Sequence, residues 1–449
     1  MKKILIYCFM SLLTLGANAQ EVLTLQNCRD MALENNKQMA AAAMQTKSSK
    51  YMQKSFKGNF FPNIKAYGTD MYMSMDGSLN IPGGKLPVFL GANGKIPVGF
   101  AFFPGIDLNM KVDNVMMAGI QLEQPIFMGG KIVAAYKMSK LGTEVSLLNE
   151  RLTASEVILN TENAYALLVK AQEMKKVADS YNSLLKELLK VVESANKHGL
   201  KPKNDVLKVQ VKLNESELAM RKADNACRLA MMNLCHMIGK SLDTQLTIES
   251  VYPHVPEKKG EEVFSIVDRP EYEMLSKKVE LASQEVKLQR SELLPKIGVR
   301  GSYDYTNGIK VNNQKLFDKG GFSVMVNVSV PLFHFGERYN KVRAAKSKLE
   351  QVRLEQNDIN EKMQLELQQS VNNLDEARME AELADKSLEQ AVENERVSKS
   401  EYEAGLETLS DYLEAQSLWQ KAYATQVDAN FQLYLQYVRY LKAAGRLYE

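Results

Sequence analysis

Two long segments without helix-breaking residues dominate the hydrophobic and polar pattern of the chain. Residues 131–198 contain no proline and one glycine, Gly142, and residues 337–404 contain neither glycine nor proline. Both segments are rich in Ala, Leu, Glu, Lys, Gln and Arg, which are strong helix formers. At 1.5 Å per residue, each predicts a helix about 100 Å long. Such a helix does not fit inside a compact globule, so the pattern indicates an extended helical assembly.

Apolar residues recur at heptad-like spacing along both predicted helices, which favours packing against neighbouring helices as in coiled coils. The stripe positions are Leu141, Val145, Leu148, Leu152, Leu184, Leu188, Val191 and Ala195 in the first helix, and Leu349, Val352, Ile359, Met363, Leu367, Val371 and Leu374 in the second. Polar residues interrupt the stripes at Ser155, Glu162 and Gln356.

Glycines mark the end of each long helix. Gly199 and Gly405 are predicted to be C-cap glycines, and Pro202 follows the first of them. A second helix then returns in each half, over about 204–238 and 410–444. Each half of the chain therefore predicts one helical hairpin.

Alternating apolar and polar residues predict strands beside the long helices. Residues 322–330 place Phe322 and four valines on one face, and Ser323, Met325, Asn327 and Ser329 on the other. Residues 116–123 alternate in the same way, and weaker strands at 64–75 and 297–305 complete two hairpins. Strands of about ten residues can cross a membrane when tilted. A soluble sheet packed on a helix is the alternative.

Four strands cannot close into a barrel by themselves. An open sheet edge in hydrocarbon leaves backbone groups unpaired, and the smallest membrane barrels have about eight strands. The chain is therefore expected to pool its strands with copies of itself. Two chains would supply about 8 strands and three would supply about 12.

The two halves of the chain are copies of one unit. An offset of 206 converts Pro125, Phe127, Gly130, Gly199, Asp205 and Gly239 into Pro331, Phe333, Gly336, Gly405, Asp411 and Gly445. Upstream the offset is 233 and takes Pro62 to Pro295 and Gly68 to Gly301, which indicates an insertion in the first copy. We predict a first structural repeat at 20–245, a linker at 246–266 and a second repeat at 267–449.

The N-terminus has the pattern of a secretory signal peptide, residues 1–19. Lys2 and Lys3 precede an apolar run over 4–16, and Ala17-Asn18-Ala19 is a typical cleavage site. The run is shorter than the roughly 20 residues needed to span a bilayer. We therefore expect an exported protein without a transmembrane helix.

Composition excludes several classes of protein. Lys and Arg total 57 against 54 Asp and Glu, so the chain lacks the basic excess of a nucleic-acid binder. With 45% hydrophobic residues it is not a disordered chain. Cys28, Cys227 and Cys235 follow the predicted signal peptide, and an odd number indicates buried thiols rather than a disulfide framework.

No catalytic motif or metal-ligand spacing is found in the sequence, so neither an enzyme nor a cofactor is expected. Met71, Met73 and Met75 alternate on one face of the predicted strand at 64–75. They could carry soft metal ions, but an irregular apolar lining or loop packing explains them better. The insertion at about 76–112 is rich in Gly, Pro and apolar residues, and it would be the first extracellular loop if the strands span a membrane as part of a duct.

The whole arrangement resembles the TolC-type outer-membrane efflux proteins. The resemblance is carried by Leu23-Thr24-Leu25-Gln26, by Arg269-Pro270-Glu271, by the Pro-x-Phe motifs and by the hairpin turns. It implies a homotrimer with a 12-strand barrel in the outer membrane and a 12-helix tunnel through the periplasm. It also implies docking to a periplasmic adaptor and an inner-membrane transporter. The trimer would be the exit duct of that tripartite system.

The resemblance further implies a gate at the hairpin turns. Asp411 and Glu414 match carboxylates that form rings in this family, while Tyr402 and Asp205 match residues that hold the tip shut. Glu407 stands where the family has an arginine, so the latch would be built differently, through Lys201 or Lys203. Gly199, Leu200, Gly405 and Leu406 match the exposed tip where adaptors dock.

Two simpler readings remain open from the sequence. Asp411 can act as a first-turn acid for the returning helix, as Asp205 does in the first copy. The whole chain could also be a soluble periplasmic coiled-coil adaptor or structural protein. Drug, metal and protein cargo share the duct architecture, and the sequence does not choose between them.

Overall fold

The computed structural model describes residues 22–90, 96–249, 251–256, 265–315 and 319–447. The predicted signal peptide, residues 1–19, lies outside them. The chain folds as two units: one takes the chain up to Ser49, Gly142–Val279 and the chain from Gln351, and the other takes Lys50–Leu141 and Glu280–Glu350. Each unit thus combines segments of both sequence copies. The repeat boundaries at 20–245, 246–266 and 267–449 stay a prediction about the duplication.

Helices form most of the described chain. They are α1 (Leu25–Asn35), α2 (Lys37–Gly58), α3 (Lys131–Lys197), α4 (Lys203–Met237), α5 (Pro270–Ser291), α6 (Glu337–Glu403) and α7 (Leu409–Ala443). The two long helices, α3 and α6, have 67 residues each, and the return helices α4 and α7 have 35 each. The predicted hairpins are confirmed, with ends within two residues of those expected.

Ion pairs along its own surface support α6. Glu337 pairs with Lys341, Asp358 with Lys362, and Glu382 with Lys386. In each pair the acid precedes the base by four residues, the favourable order on a helix, worth about 0.2–0.5 kcal/mol per pair. These contacts explain how a helix with wide polar faces remains regular. No helix among the described residues carries an apolar stretch long enough to cross a bilayer.

The predicted heptad stripe of α3 is wrong near its C-terminal end. Val191 is 60% exposed, whereas Leu185, Leu188 and Val192 are buried. A straight α-helix has 3.6 residues per turn and drifts against a heptad repeat over this length. The buried stripe has therefore moved by one residue.

Four helices end with the same hydrogen-bonded cap. After α3, Gly199 has φ of 69°, and the amide of Leu200 donates to the carbonyl of Ala195 at 2.9 Å. After α6, Gly405 has φ of 74°, and Leu406 donates to Glu401 at 2.9 Å. Gly239 and Gly445 end α4 and α7 in the same conformation. These caps satisfy carbonyls at the helix ends and confirm the predicted C-cap glycines.

The core of the first unit contains a buried carboxylate that the heptad pattern marked only as an interruption. Glu162 on α3 is 0% exposed and accepts hydrogen bonds from Arg29 on α1 and from the Tyr434 hydroxyl on α7. Burial raises the pKa of Glu162, and the hydrogen bond from Tyr434 and the charge of Arg29 oppose that rise. The three side chains join three helices at one point.

Buried thiols lie in the same unit. Cys28 and Cys235 are fully buried and Cys227 is half-buried, and all three are free. Burial raises the pKa of Cys28 to about 11, so its thiol is unreactive at neutral pH. The sequence prediction of buried thiols is confirmed.

Short parallel strands tie the predicted linker to the first of the described residues. Strand β1 (Val22–Leu23) pairs with β7 (Thr247–Ile248), which lies within residues 246–266. The linker therefore contributes to the first unit rather than only connecting the two copies.

The second unit is built on an antiparallel sheet. The remaining described strands are β2 (Asn63–Met71), β3 (Met75–Ile81), β4 (Gly84–Leu90), β5 (Ile96–Phe103), β6 (Ile106–Met128), β8 (Lys296–Val311), β9 (Gln314–Lys315) and β10 (Gly320–Ser329). The four main strands have the order β10-β8-β6-β2. Within the described residues, no strand pairs with the outer edges of β2 and β10.

The two faces of this sheet differ in chemistry. One face carries Val324, Val326 and Val328 of β10, which are 57–64% exposed in the single chain, together with Ile120 and Ile64. Leaving such a face in water is unfavourable because apolar burial is worth about 25 cal/mol per Å². The opposite face carries charged and hydroxyl side chains.

A polar network covers the second face. Glu123 of β6 accepts from Arg300 of β8 at 2.6 Å and lies 3.7 Å from the ammonium of Lys65 on β2. Further along, Ser302 donates to Asp304 at 2.5 Å, and Tyr67 donates to the same carboxylate. The network links β2, β6 and β8 across the polar face.

The insertion at 76–112 is not a loop, contrary to the sequence prediction. Strand β3 pairs with the first part of β6, and β4 pairs with β5 as a separate ribbon. Alternating residues such as Phe100 and Phe102, which are 70% and 74% exposed, explain why the segment forms strands. Met71 and Met75 lie on different strands, so the three methionines do not share one strand face.

Replacing a glycine by alanine is expected to change stability in opposite directions at a helix cap and in a helix interior. Gly199→Ala places a Cβ in open space at φ of 69°, and the left-handed backbone costs about 1 kcal/mol. Gly142→Ala, in the interior of α3 and also facing open space, is expected to stabilise by about 0.5–1 kcal/mol. Thermal unfolding in detergent, followed by far-UV circular dichroism, measures both. Shifts of the same sign would contradict the assignment of Gly199 as a cap.

The buried carboxylate gives a second prediction. Glu162→Ala leaves Arg29 and Tyr434 without their acceptor and is expected to lower the free energy of unfolding by about 3 kcal/mol. The matched control is Glu156→Ala, at an exposed position on the same helix, with an expected change within about 0.5 kcal/mol. Equal melting temperatures for the two variants would show that the buried cluster does not hold α1, α3 and α7 together.

Candidate gating site at the hairpin turns

The ends of the two helical hairpins pack together in the first unit. Their shared apolar cluster is drawn from both long helices and both return helices: Tyr181, Leu185, Leu188, Val192, Val209, Tyr402, Leu409, Tyr412 and Leu413. A side-chain hydrogen bond from Lys208 on α4 to Ser410 on α7, 3.0 Å long, adds a polar link. The turns therefore have fixed positions relative to each other within one chain.

Tyr402 lies at the centre of this packing. It is 8% exposed, in the last turn of α6, and its ring stacks on Tyr412 of α7 at 5.3 Å between centroids. The ammonium of Lys201, in the turn of the first hairpin, lies 4.9 Å from the centre of the Tyr402 ring. A cation over a tyrosine face is attracted to it, by about 0.5–1 kcal/mol at exposed sites.

Asp205 acts on the same tyrosine. Burial, and after it the charge of Asp205, raise the pKa of Tyr402, which keeps its hydroxyl protonated. The structure thus brings together Tyr402, Asp205 and Lys201, of which the first two matched the family latch in the sequence. Lys201 is one of the two lysines predicted for the latch, and its ammonium is the cation that lies over this ring. A latch role for the three residues stays a prediction.

Glu407 does not take part in this contact. Its carboxylate accepts a hydrogen bond from the Ser398 hydroxyl, within its own hairpin. Glu407 and Lys201 occupy equivalent positions of the two copies, related by the offset of 206. The two turns therefore present opposite charges at one repeated position.

Asp411 closes a capping box at the start of α7. Thr408 is the N-cap residue; its hydroxyl accepts from the Asp411 amide at 3.3 Å, and the Asp411 carboxylate accepts from the Thr408 amide at 3.3 Å. The carboxylate also accepts from the Thr408 hydroxyl at 2.6 Å. Asp411 therefore does serve as a first-turn acid, the simpler of its two predicted roles, and its side chain remains exposed.

Glu414 is placed differently from Asp411. It lies one turn further along α7, is exposed, and makes no hydrogen bond or ion pair with any described residue. Three residues apart, the two carboxylates lie on one face of the helix. Nothing in the packing of a single chain accounts for Glu414.

The turns themselves project apolar side chains into solvent. Leu200 is 77% exposed and Leu406 is 81% exposed, each directly after its cap glycine. Gly199 and Gly405 are exposed beside them. This arrangement fits the predicted docking tip, and helix capping explains the glycines equally well.

Thr408 is a site residue that the sequence analysis missed. The pattern Thr408-x-x-Asp411 before the apolar start of α7 is the signal of a capping box. The sequence prediction considered Asp411 without the threonine three residues before it. The cluster of Arg29, Glu162 and Tyr434 was missed as well, because its members are far apart in the sequence.

Comparison with known proteins supports the resemblance. A family model described as outer membrane efflux protein matches residues 28–240 and 266–446. The outer membrane efflux protein BepC of Brucella suis is 22% identical over 340 residues, 73% of this chain and 72% of BepC. The alkaline protease secretion protein AprF of Pseudomonas aeruginosa is 23% identical over 242 residues, 51% of this chain and 49% of AprF.

Solved structures agree in fold. The Campylobacter jejuni CmeC outer membrane channel is similar with a TM-score of 0.75 at 18% identity, covering 94% of this chain and 86% of CmeC. The outer membrane protein VceC of Vibrio cholerae has a TM-score of 0.72 at 12% identity, covering 94% of this chain and 96% of VceC. The family model extends over both sequence copies and most of the chain. The chain therefore belongs to the outer membrane efflux protein family.

Proposed function

We propose that three copies of this chain form the outer-membrane exit duct of a tripartite efflux or secretion system. The four main strands of each chain would pool into a 12-strand barrel in the outer membrane. The two helical hairpins of each chain would contribute to a 12-helix tunnel in the periplasm. A periplasmic adaptor and an inner-membrane transporter would supply substrate and energy, so the chain itself performs no catalysis.

The open sheet is the observation that carries this proposal. It has two edges without partners among the described strands and one face covered with exposed valines. An apolar outer face and a polar inner face are the arrangement of a membrane barrel around an aqueous channel. Because both edges must be paired in lipid, further copies of the chain are the simplest partners.

A soluble periplasmic adaptor explains these features less well. It would leave Val324, Val326 and Val328 in water, and it would have no use for the charged network on the opposite face. The family relatives are also outer-membrane proteins.

The gate is proposed to lie at the hairpin turns. With three chains, Asp411 and Glu414 would give two rings of three carboxylates around one axis. Like charges at short range repel, which resists tight closure and favours cations over anions. Tyr402, stacked on Tyr412 and covered by the ammonium of Lys201, would keep the turns of each chain packed together in the closed state, with Asp205 close enough to raise its pKa. Leu200 and Leu406 would be the apolar contacts for the adaptor.

Cargo is the part of the proposal on which the relatives differ. BepC is named for efflux, and AprF is named for the secretion of alkaline protease. A duct of this kind passes what its transporter delivers. We therefore assign this chain to substrate passage in general and not to one substrate.

Pore formation is the direct test of the function. The purified protein, added to a planar lipid bilayer, is expected to give discrete current steps that favour cations. A preparation that inserts into the bilayer but conducts no ions at any voltage, even when the turn carboxylates are substituted, would argue for a structural assembly and against the duct.

Charge substitutions at the turns test the gate. Glu414→Gln removes a charge without breaking any described contact, and we expect the cation-to-anion permeability ratio to fall roughly two- to five-fold. Asp411→Asn should act in the same direction. The control, Thr408→Ala, loses the cap at about 1 kcal/mol but keeps both carboxylates, so selectivity should be unchanged. Wild-type selectivity in the Glu414 variant would remove that residue from the gate.

A further inference from the structure

The strand hairpins of the two sequence copies are paired in one register. In the β2–β6 hairpin, Ile64 lies opposite Leu122, and in the β8–β10 hairpin, Ile297 lies opposite Val328. The offsets of 233 and 206 convert the first pair into the second. The same conversion holds along the shared length of both hairpins. The repeat therefore fixes strand pairing as well as the fold of each copy.

A third kind of strand pair joins the first copy to the second within the chain. Strand β6 pairs with β8, with Leu122 opposite Gly301 and Gln121 opposite Ser302. If the same pairing continues around a closed barrel, the next strand pair joins β10 of this chain to β2 of a neighbouring chain. The offsets then convert Leu122 into Val328 and Gly301 into Gly68.

We propose that β10 of one chain pairs with β2 of a second copy in this register, with Val328 opposite Gly68 and Asn327 opposite Thr69. We call this interchain contact, including the adjoining α2–β2 and β10–α6 corners, the seam. The inference rests on the proposed trimer and adds to it a residue-by-residue interface. Its partner is another copy of this chain.

The proposed register keeps both faces of the sheet consistent. Val328 and Gly68 both lie on the apolar face, and Asn327 and Thr69 both lie on the polar face. A shift by one residue would point the valines of β10 and the polar residues of β2 to the same side. The faces thus restrict the seam to this register or to shifts of two.

The seam cannot repeat the internal contact in every detail. Gly129, before α3, has φ of 63°, and a Cβ there would lie 2.4 Å from the carbonyl oxygen of Ser291. Its equivalent in the second copy is Phe335, with φ of 44°. The offset of 233 makes Gly58 of the neighbouring copy the equivalent of Ser291. Phe335 cannot approach that backbone as closely as Gly129 approaches Ser291.

The aromatic side chains at this corner fit the wider gap. Phe335 is 92% exposed in the single chain and makes an edge contact with Phe333 at 4.8 Å between ring centres. The neighbouring copy would present Phe60 and Phe61, which are 40% and 62% exposed. A bulky residue at positive φ is strained, and such strain is found where contacts or function of the side chain compensate for it. We infer that Phe335 and Phe333 pack on that corner of the neighbouring copy.

Paired cysteines test the register. Proteins carrying Val328→Cys with Gly68→Cys, or Asn327→Cys with Thr69→Cys, are oxidised in the outer membrane and run on denaturing gels. A Cβ at Gly68 meets no atom within 4 Å, so the first pair fits the strand. Adjacent opposed pairs alternate between wide and narrow spacing, so at least one should link most chains into dimers and trimers. Each single-cysteine protein controls for the native thiols.

Mismatched pairs make the result decisive. Val328→Cys with Thr69→Cys places the thiols on opposite faces of the sheet, so this protein should stay monomeric on the gel. Val328→Cys combined with Ala66→Cys or with Asp70→Cys detects a register shifted by two residues. Trimers that link only through a shifted pair would overturn the seam and leave the duct intact. Absence of a trimer in the unmodified protein would overturn both.

Phe335 gives a second test, in which the seam and relief of backbone strain predict opposite shifts of the temperature at which the trimer dissociates. Phe335→Gly relieves backbone strain, so a residue without a partner would make the trimer melt at a higher temperature. The seam predicts the reverse: the temperature at which the trimer dissociates in detergent falls for Phe335→Gly and for Phe335→Asn, and is retained in Phe335→Tyr. A rise in the glycine variant would remove the aromatic contact from the interface.

Discussion

Backbone hydrogen bonding in hydrocarbon is the constraint on which the rest of this architecture depends. In lipid, an unpaired amide or carbonyl costs several kcal/mol, so a sheet that enters the membrane must close. Each chain supplies four main strands and leaves the outer edges of β2 and β10 without partners among the described residues. The exposed valine face and the opposing charged network have the chemistry of the outside and inside of one barrel. The proposed self-association rests on these properties of the sheet and not on the role of any single residue.

Duplication gives the chain two hairpins of the same fold, and the residues that differ between the two copies make those hairpins chemically distinct. Equivalent positions hold Lys201 and Glu407 at the turns, Pro202 and Thr408 at the starts of the return helices, and Gly129 and Phe335 before the long helices. In each case the backbone is similar and the chemistry differs. In the proposed trimer, these differences would reduce a sixfold arrangement of hairpins to a threefold one, with Lys201 and Glu407 alternating around the turns. Within the described part of the chain, the inserted strands of the first copy have no counterpart in the second copy.

Much of the fold could be predicted because it depends on local patterns. Breaker-free segments fixed the long helices, glycines fixed their ends, and alternation fixed the strands. The errors arose where periodicity is ambiguous or the partner is distant. The stripe of α3 slipped from Val191 to Val192 because 3.6 does not match the heptad, and Gly and Pro made the inserted strands look like a loop. The joining of Arg29, Glu162 and Tyr434 depends on three-dimensional packing. At the turns, residue types could be placed, but the contact of Lys201 with Tyr402 needed coordinates.

The central claim is that the four-stranded sheet of the chain closes into a barrel with the sheets of two further copies in the outer membrane. The mass of the detergent-extracted particle, by light scattering with the detergent contribution subtracted, tests this most directly. The account predicts three chains, recovered from the outer-membrane fraction and released only by detergent. A monomer recovered from the periplasm without detergent would contradict the barrel, the carboxylate rings and the duct together.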